Sequence, residues 1–251
     1  MTGLKFDNKT VMITGASRGI GRHLAIEFAS AGARVVVNYS RNEEAAISVV
    51  DTITNNGGQA IAVGADISDA VSVQKMLDAT LTAFASVDVL VNNAGINKDN
   101  SLLEMSEEEW TRVVDVNLKG PFLCTQAFGR VMVSAGTGKI VNISAVTSIQ
   151  GRANAVNYCS SKAGLNMLTK CSALELAPAV QVNGIAVGFI ESELVREIYS
   201  QEQIDRVNRS VALGRMGSIE EVTNLVMYLS SDGSNFMTGQ TIVLDGGRVM
   251  I

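Results

Sequence analysis

The sequence predicts a doubly wound α/β fold: a seven-stranded parallel sheet in a single domain over residues 1–251. Three observations predict it. Short runs rich in Val and Ile recur along the chain, apolar at consecutive positions rather than alternate ones, as strands buried on both faces must be. Segments of helical period separate these runs, which makes the strands parallel and covers the sheet on both sides. No Pro- or Ser-rich linker and no block of charge divides the 251 residues, a length that suits one substantial core.

Taken in order, "TVMIT" is the first strand, and it runs through "TGASRGIG" into a helix from Gly19 to Ala31. "RVVVN", a helix from Glu43 to Asn55, "QAIAVGA", a helix from Asp69 to Phe84 and "VDVLVNN" follow. In "SEEEW" the Ser106 side chain can accept from the Glu109 amide while Glu109 reaches back to the Ser106 amide, a capping box that starts a helix. "KIVNIS", a helix from Asn157 to Leu176 and "QVNGIAV" continue the alternation. The stretch from Phe189 to about Arg209 interrupts it with an amphipathic insertion. Loops at the carboxyl ends of parallel strands border the ligand crevice, so this insertion, at about 189–209, reads as a lid. A helix from Ser218 to Ser230 and the strand "QTIVLD" complete the chain.

Hydrophobic residues make up 47% and charged residues 18%, a globular balance. The formal net charge is −5 and acid and base are interspersed, which argues against a nucleic-acid surface. The N-terminus has no basic segment followed by a long apolar run, and no run approaches the roughly 20 apolar residues that span a bilayer. No membrane partner and a cytoplasmic location are therefore expected. Cys124, Cys159 and Cys171 lack metal-type spacing, and His23 is the only histidine. Neither a metal site nor a disulfide framework is expected.

The glycine turn after the first strand carries the first chemistry. Gly15, Gly19 and Gly21 let the backbone turn tightly and approach a pyrophosphate, whose charge the N-terminus of the next helix meets. The turn lies between a strand and a helix with a second strand about 20 residues on, the setting a nucleotide site requires. At the end of that second strand a free ribose 2′-hydroxyl would call for Asp or Glu. The chain offers Asn38, Tyr39, Ser40 and Arg41 instead, with Arg18 in the glycine turn. Guanidinium groups provide paired donors to phosphate oxygens, so NADP(H) is the expected cofactor. The bland alternative is that Arg41 opens a solvated helix.

Over nearly its whole length the chain resembles the short-chain dehydrogenase/reductase family, with its Rossmann-type sheet. "TGASRGIG", with Ser17, Arg18 and Ile20 among its glycines, resembles the family's cofactor loop; Asp66 and Ile67 resemble its adenine contact, and "NNAG", with Asn93, Ala94 and Gly95, the segment supporting the adenine side. Asn117 matches the catalytic asparagine, and Tyr158 with Lys162 the YxxxK pair. "VGFIES", with Gly188 and Ile190, resembles the segment over the nicotinamide. The pattern is most similar to 3-oxoacyl reductases and related carbonyl reductases. The resemblance implies hydride transfer between nicotinamide and a small-molecule carbonyl substrate, with Tyr158 exchanging the proton, Lys162 binding the ribose and Asn117 holding a relay water. It also implies a homotetramer. Independently of the family, a tyrosine hydroxyl with a pKa near 10 needs a nearby cation to act near neutrality, and Lys162 lies one turn away on the same helix face.

The chain departs from the family at three places. Counting thirteen residues back from Tyr158, where the family's substrate-binding serine sits, reaches Ala145. Ser144 is the catalytic candidate nearest to it and Ser148 lies in the same loop, although alternation along a strand turns Ser144 away unless the backbone bends. The usual proline before the glycine of the nicotinamide segment is Val187, which is expected to loosen or redirect that loop. The stretch before the fifth strand, "VSAGTGK", has Lys139 as its only cation, so an acidic carrier protein remains a partner but is not the favoured one. Ala145 and Val187 also motivate an alternative, a family member with weak or altered catalysis that acts as a binding or partner subunit. A third reading keeps the site but reduces an imine or double bond.

Overall fold

The computed structural model describes residues 4–191 and 200–250. Seven strands form one parallel sheet: β1 (Thr10–Ile13), β2 (Arg34–Tyr39), β3 (Gln59–Gly64), β4 (Val89–Asn92), β5 (Gly138–Ala145), β6 (Val180–Val187) and β7 (Thr241–Leu244). Their order across the sheet is β3-β2-β1-β4-β5-β6-β7. The order reverses between β1 and β4, and such a reversal opens a crevice beyond the carboxyl ends of the strands.

The core explains why consecutive strand residues are all apolar. Val11 and Ile13 pack with Val35, Val37 and Phe28 on one face, while Met12, Val36, Leu90 and Ile140 pack with Phe128 and Met132 on the other. Helices α1 (Gly19–Ser30), α2 (Glu43–Asn55), α3 (Ala70–Phe84), α4 (Glu107–Val114), α5 (Gly120–Ala135), α6 (Thr147–Gln150), α7 (Val156–Leu176), α8 (Gln201–Arg209) and α9 (Ile219–Leu229) connect and cover the strands. The expected helix ends hold to within one residue, because the residues expected to start two of them are caps instead. Asp69 accepts from Ser72 N–H ahead of α3, and Ser218 from Glu221 N–H ahead of α9.

The capping box of Ser106 and Glu109 forms as expected, with the Glu109 carboxylate accepting from Ser106 N–H at 2.9 Å. Between α4 and α5 the backbone widens into a π-helical segment, Asp115–Lys119, which contains Asn117. Such wide turns recur at functional sites. Of the lid-like insertion expected at about 189–209, α8 and its Ser200 cap are described; residues 192–199, including Ser192 of the nicotinamide segment, lie outside the described residues. No helix among the described residues is long and apolar enough to cross a membrane.

Candidate active site

The glycine loop between β1 and α1 is held from three sides by side chains acting on backbone. Thr14 Oγ1 accepts from Asn93 N–H and Ala94 N–H, each at 3.0 Å. Asn93 Nδ2 donates to the carbonyls of Thr14 at 2.9 Å and Gly15 at 3.1 Å. The buried Asn38 accepts from Gly15 N–H at 3.1 Å and donates to the carbonyls of Val63 and Ala65, each at 3.2 Å. Asn93, expected at the cofactor, thus spends its amide on the loop itself, and Ala94 packs behind Gly15. The sequence did not single out Thr14, and it offered Asn38 at the end of the second strand without this role. Their signal was a polar residue at the carboxyl end of an otherwise apolar strand.

This loop leaves room where a phosphate would come. Gly19 has φ +55° and a side chain there would meet nothing within 4 Å, whereas one at Gly21 would collide with the Gly15 carbonyl and Asn93. The first turn of α1 has no side-chain cap, so its N–H groups stay available to an anion. Arg18, in the glycine turn, and Arg41, two residues beyond β2, are exposed, with Ser40 beside Arg41 and Ser17 half-buried; Ile20 packs against the core. The nearest carboxylate beyond β2 is Glu43, which hydrogen-bonds the Tyr39 hydroxyl and raises its pKa. Asp66 is held below the usual carboxylate range, against the opposing effect of burial, by Ser68 and by Arg112, whose Nη2 lies 3.1 Å from Asp66 Oδ2. Ile67 is buried against Gly120 at the start of α5.

At the other end of the crevice, β5 and α7 are locked together. Asn142 Nδ2 donates to Thr169 Oγ1 at 2.9 Å, and Asn92 Nδ2 donates to Asn142 Oδ1 at 2.8 Å, so a buried polar chain links β4, β5 and α7. Ser144, two residues after Asn142 and on the same face, donates to the Lys162 carbonyl at 3.2 Å. Lys162 Nζ donates to the Ile143 carbonyl at 2.7 Å. These bonds fix the rotation of α7 and deliver the Lys162 amine to the end of β5, where it stands 5.8 Å from the centroid of the Tyr158 ring.

Gly95 closes the group: a side chain there would lie 3.5 Å from Asn117 Oδ1 and 3.6 Å from Lys162 Nζ. Asn117 itself is fully buried, accepting from Ile96 N–H at 2.8 Å and donating to the Ile96 carbonyl at 2.9 Å. Its side chain therefore pins the loop after β4, and it also donates to Ser161 Oγ at 3.3 Å. Asn157, absent from the candidates, is buried too and accepts from Tyr158 N–H at 2.7 Å. On the far side, Gly188 N–H donates to the Leu244 carbonyl at 2.9 Å, and Ile190 bridges to Gly217.

Burial dominates the electrostatics of the pair. Burial lowers the Lys162 amine to about 8, and burial is also the largest influence on Tyr158, raising its hydroxyl above the ordinary value of 10.0. Arg152 offsets this in part. In the chain alone, Tyr158 is a protonated donor at neutral pH.

Both serines near Ala145 are engaged elsewhere. Ser144 serves α7, as strand alternation implies, and Ser148 donates to the Ala145 carbonyl while accepting from Asn166 Nδ2 at 2.8 Å. Ser144 is thus turned from the crevice onto the helix that carries Tyr158. Val187 itself lies in the sheet, ahead of the loop it was expected to loosen or redirect. It is the last residue of β6, in register with Ala145 and Leu244, and its carbonyl accepts from Val146 N–H at 3.0 Å.

A strand-order crevice, an open glycine turn with an uncapped helix behind it, and a Tyr/Lys pair at the same sheet edge define a dinucleotide-dependent oxidoreductase. The family model described as enoyl-(acyl carrier protein) reductase matches residues 15–248. A 3-oxoacyl-[acyl-carrier-protein] reductase of Synechocystis sp. is 41% identical over 96% of this chain and 97% of its own length. The protein named 3-oxoacyl-[acyl-carrier-protein] reductase FabG of Staphylococcus epidermidis is 40% identical over 97% of this chain and 100% of its own. Among solved structures, a gluconate 5-dehydrogenase from Burkholderia cenocepacia in complex with NADP and tartrate superposes with a TM-score of 0.92 at 34% identity, over 98% of this chain and 96% of that one. A short-chain type dehydrogenase/reductase from Mycobacterium marinum does so with 0.92 at 38% identity, over 99% and 98%. The chain belongs to the short-chain dehydrogenase/reductase family and is an oxidoreductase.

Proposed function

We propose that the chain transfers hydride between NADP(H) and a ketone or secondary alcohol, with a 3-oxoacyl-type compound as the leading substrate class. The observation that carries this reading is the meeting of Gly95, Asn117, Lys162 and the Tyr158 ring at one edge of the sheet, beside the open glycine turn. The glycine turn and the first turn of α1 would hold the cofactor's pyrophosphate, Arg18 and Arg41 its 2′-phosphate, and Asp66 its adenine. A bound nicotinamide supplies the hydride. Tyr158, kept protonated by burial, gives its proton to the carbonyl oxygen. Lys162 binds the nicotinamide ribose, and Asn117 holds the loop against which both act.

Relatives named 3-oxoacyl-[acyl-carrier-protein] reductases and a neighbour bound to NADP support the reaction and the cofactor. The alternative of a binding subunit finds no support among these relatives, which are named as reductases or dehydrogenases. Against an acidic carrier protein, Lys139 is buried and donates to Asn235 Oδ1 at 2.7 Å, which leaves "VSAGTGK" with no exposed cation. A homotetramer is supported by the apolar faces of α5 and α7. Phe122 and Val133, eleven residues apart, and Met167 and Leu174, seven apart, recur on one side of their helices and are exposed. Three unpaired cysteines suit the cytoplasm. Light scattering that found only monomer, or fractionation that recovered the protein outside the cytoplasm, would reject those two assignments.

The reaction is tested by following NADPH oxidation against a panel of ketones, 3-oxoacyl thioesters, enoyl thioesters and imines. Turnover of 3-oxo compounds is expected. Turnover of enoyl thioesters or imines alone would replace carbonyl reduction with reduction of a carbon–carbon or carbon–nitrogen double bond.

A further inference from the structure

The substrate end of the crevice carries a charged pair that the reaction described above does not use. Arg152, in the turn before α7, donates to Asp99 Oδ1 at 2.7 Å, and the two side chains are 37% and 38% exposed. Asp99 belongs to the loop that leaves β4. The same two segments are joined again by Asn100 N–H donating to the Asn154 carbonyl at 2.9 Å, and by Asn157 Nδ2 donating to the Lys98 carbonyl at 2.9 Å. Asn157 is also the residue whose side chain holds the Tyr158 N–H. The ion pair therefore sits on a junction of two loops that ends one residue from the tyrosine.

We propose that Asp99 and Arg152 are positioning residues for Tyr158, pinning the two loops that flank it and balancing, with opposite charges, the potential at its hydroxyl. The proposal rests on the reading of Tyr158 as the proton donor. Both charges are felt there: Arg152 lowers the pKa of the hydroxyl and Asp99 raises it, within a site where burial is the larger influence. The other titratable groups around Tyr158 are Cys159, which also raises it, and the Lys162 amine, both from α7. On α4, Glu109 is turned to Ser106 and Asn100. Lys98 shares the loop of Asp99. An ion pair this exposed adds little to stability, so its effect is to be sought at the tyrosine. While the two charges are paired they largely cancel, and removing either one uncovers the other.

The test uses the full chain with NADPH and ethyl acetoacetate as probe substrate. The pH dependence of kcat/KM is measured for the unaltered protein, Arg152→Gln, Asp99→Asn and the double variant. Reduction requires the protonated hydroxyl, so the rate falls as pH rises through its pKa. That limb is expected about half a pH unit higher in Arg152→Gln, about as much lower in Asp99→Asn, and near its original position in the double variant. A merely structural role would lower the rate in all three without opposite shifts. Ultraviolet difference titration of tyrosinate, each variant against its own Tyr158→Phe counterpart, reads the same shifts without turnover. Opposite shifts in that titration, in a protein that does not reduce the probe, would uphold the pair's action on Tyr158 and count against the proposed reaction. Shifts of the same sign, or none, would overturn the proposal.

Discussion

At the end of β1 the side chains of Thr14, Asn38 and Asn93 act on the backbone of the glycine loop, whereas at the end of β5 the side chains of Ser144 and Ser148 bond to the very elements that carry the site. The first arrangement presents bare backbone to a ligand and leaves Gly19 open. The second absorbs its hydroxyls and presents Tyr158, Lys162 and, where the resemblance implies a serine, Ala145. A pyrophosphate can be met by backbone N–H groups and a helix N-terminus, while a substrate oxygen calls for side-chain donors.

The sharpest way to break this contrast is Tyr158→Phe. It removes the hydroxyl of the ring that stands 5.8 Å from the Lys162 amine and leaves the glycine loop untouched. Turnover on a confirmed substrate is expected to fall by roughly 10²–10⁴, the usual worth of a positioned acid, while fluorescence titration finds NADPH binding unchanged. An unchanged rate would mean that Tyr158 does not move the proton.

The next effect is smaller and opposite in direction. Ala145 is one of the last residues of the sheet before the crevice, paired with Val187, and Ala145→Ser would add a donor at the family's position. Activity should rise by up to roughly 10²–10³, the worth of one oxyanion-type donor. Ser144→Ala is expected to leave the rate nearly alone and to cost about 1 kcal/mol of stability, because its hydroxyl holds the Lys162 carbonyl. A large loss of rate in Ser144→Ala or Ser148→Ala, measured beside thermal unfolding, would instead make that serine the missing donor.

The same division decides what could be read from the sequence. The strands were legible because Val and Ile occupy both faces, and the helix starts because Asp69, Ser106 and Ser218 are local caps. Gly15, Gly19 and Gly21 were legible because a turn that tight needs glycine. The direction of Ser144 was half legible: strand alternation turned it from Ala145, but that it meets the Lys162 carbonyl depends on how α7 docks, which Asn142 and Thr169 fix from 27 residues apart. How far Lys162 acts on Tyr158 was not legible, because burial, a property of the folded chain, raises the Tyr158 hydroxyl and lowers the Lys162 amine. That Val187 ends the β6 ladder was legible, since it closes the apolar run "QVNGIAV".

The smallest effect expected concerns the cofactor end, where the contrast can be sharpened by removing a side chain from a site otherwise made of backbone. Arg18 in the glycine turn and Arg41 just beyond β2 are exposed, and the carboxamide of Asn38, at the end of β2, faces inward to Gly15, Val63 and Ala65. Glu43, the first carboxylate after β2, is tied to the Tyr39 hydroxyl. A 2′-phosphate would therefore be met by guanidinium groups, and exposure to water limits what each contributes. Arg41→Ala is expected to narrow the preference for NADPH over NADH by about tenfold, through weaker NADPH binding and with little change for NADH. Paired titrations of both cofactors read this directly. Equal affinity for the two in the unaltered protein would remove the 2′-phosphate from the account, and Arg41 would then be the first solvated residue before α2.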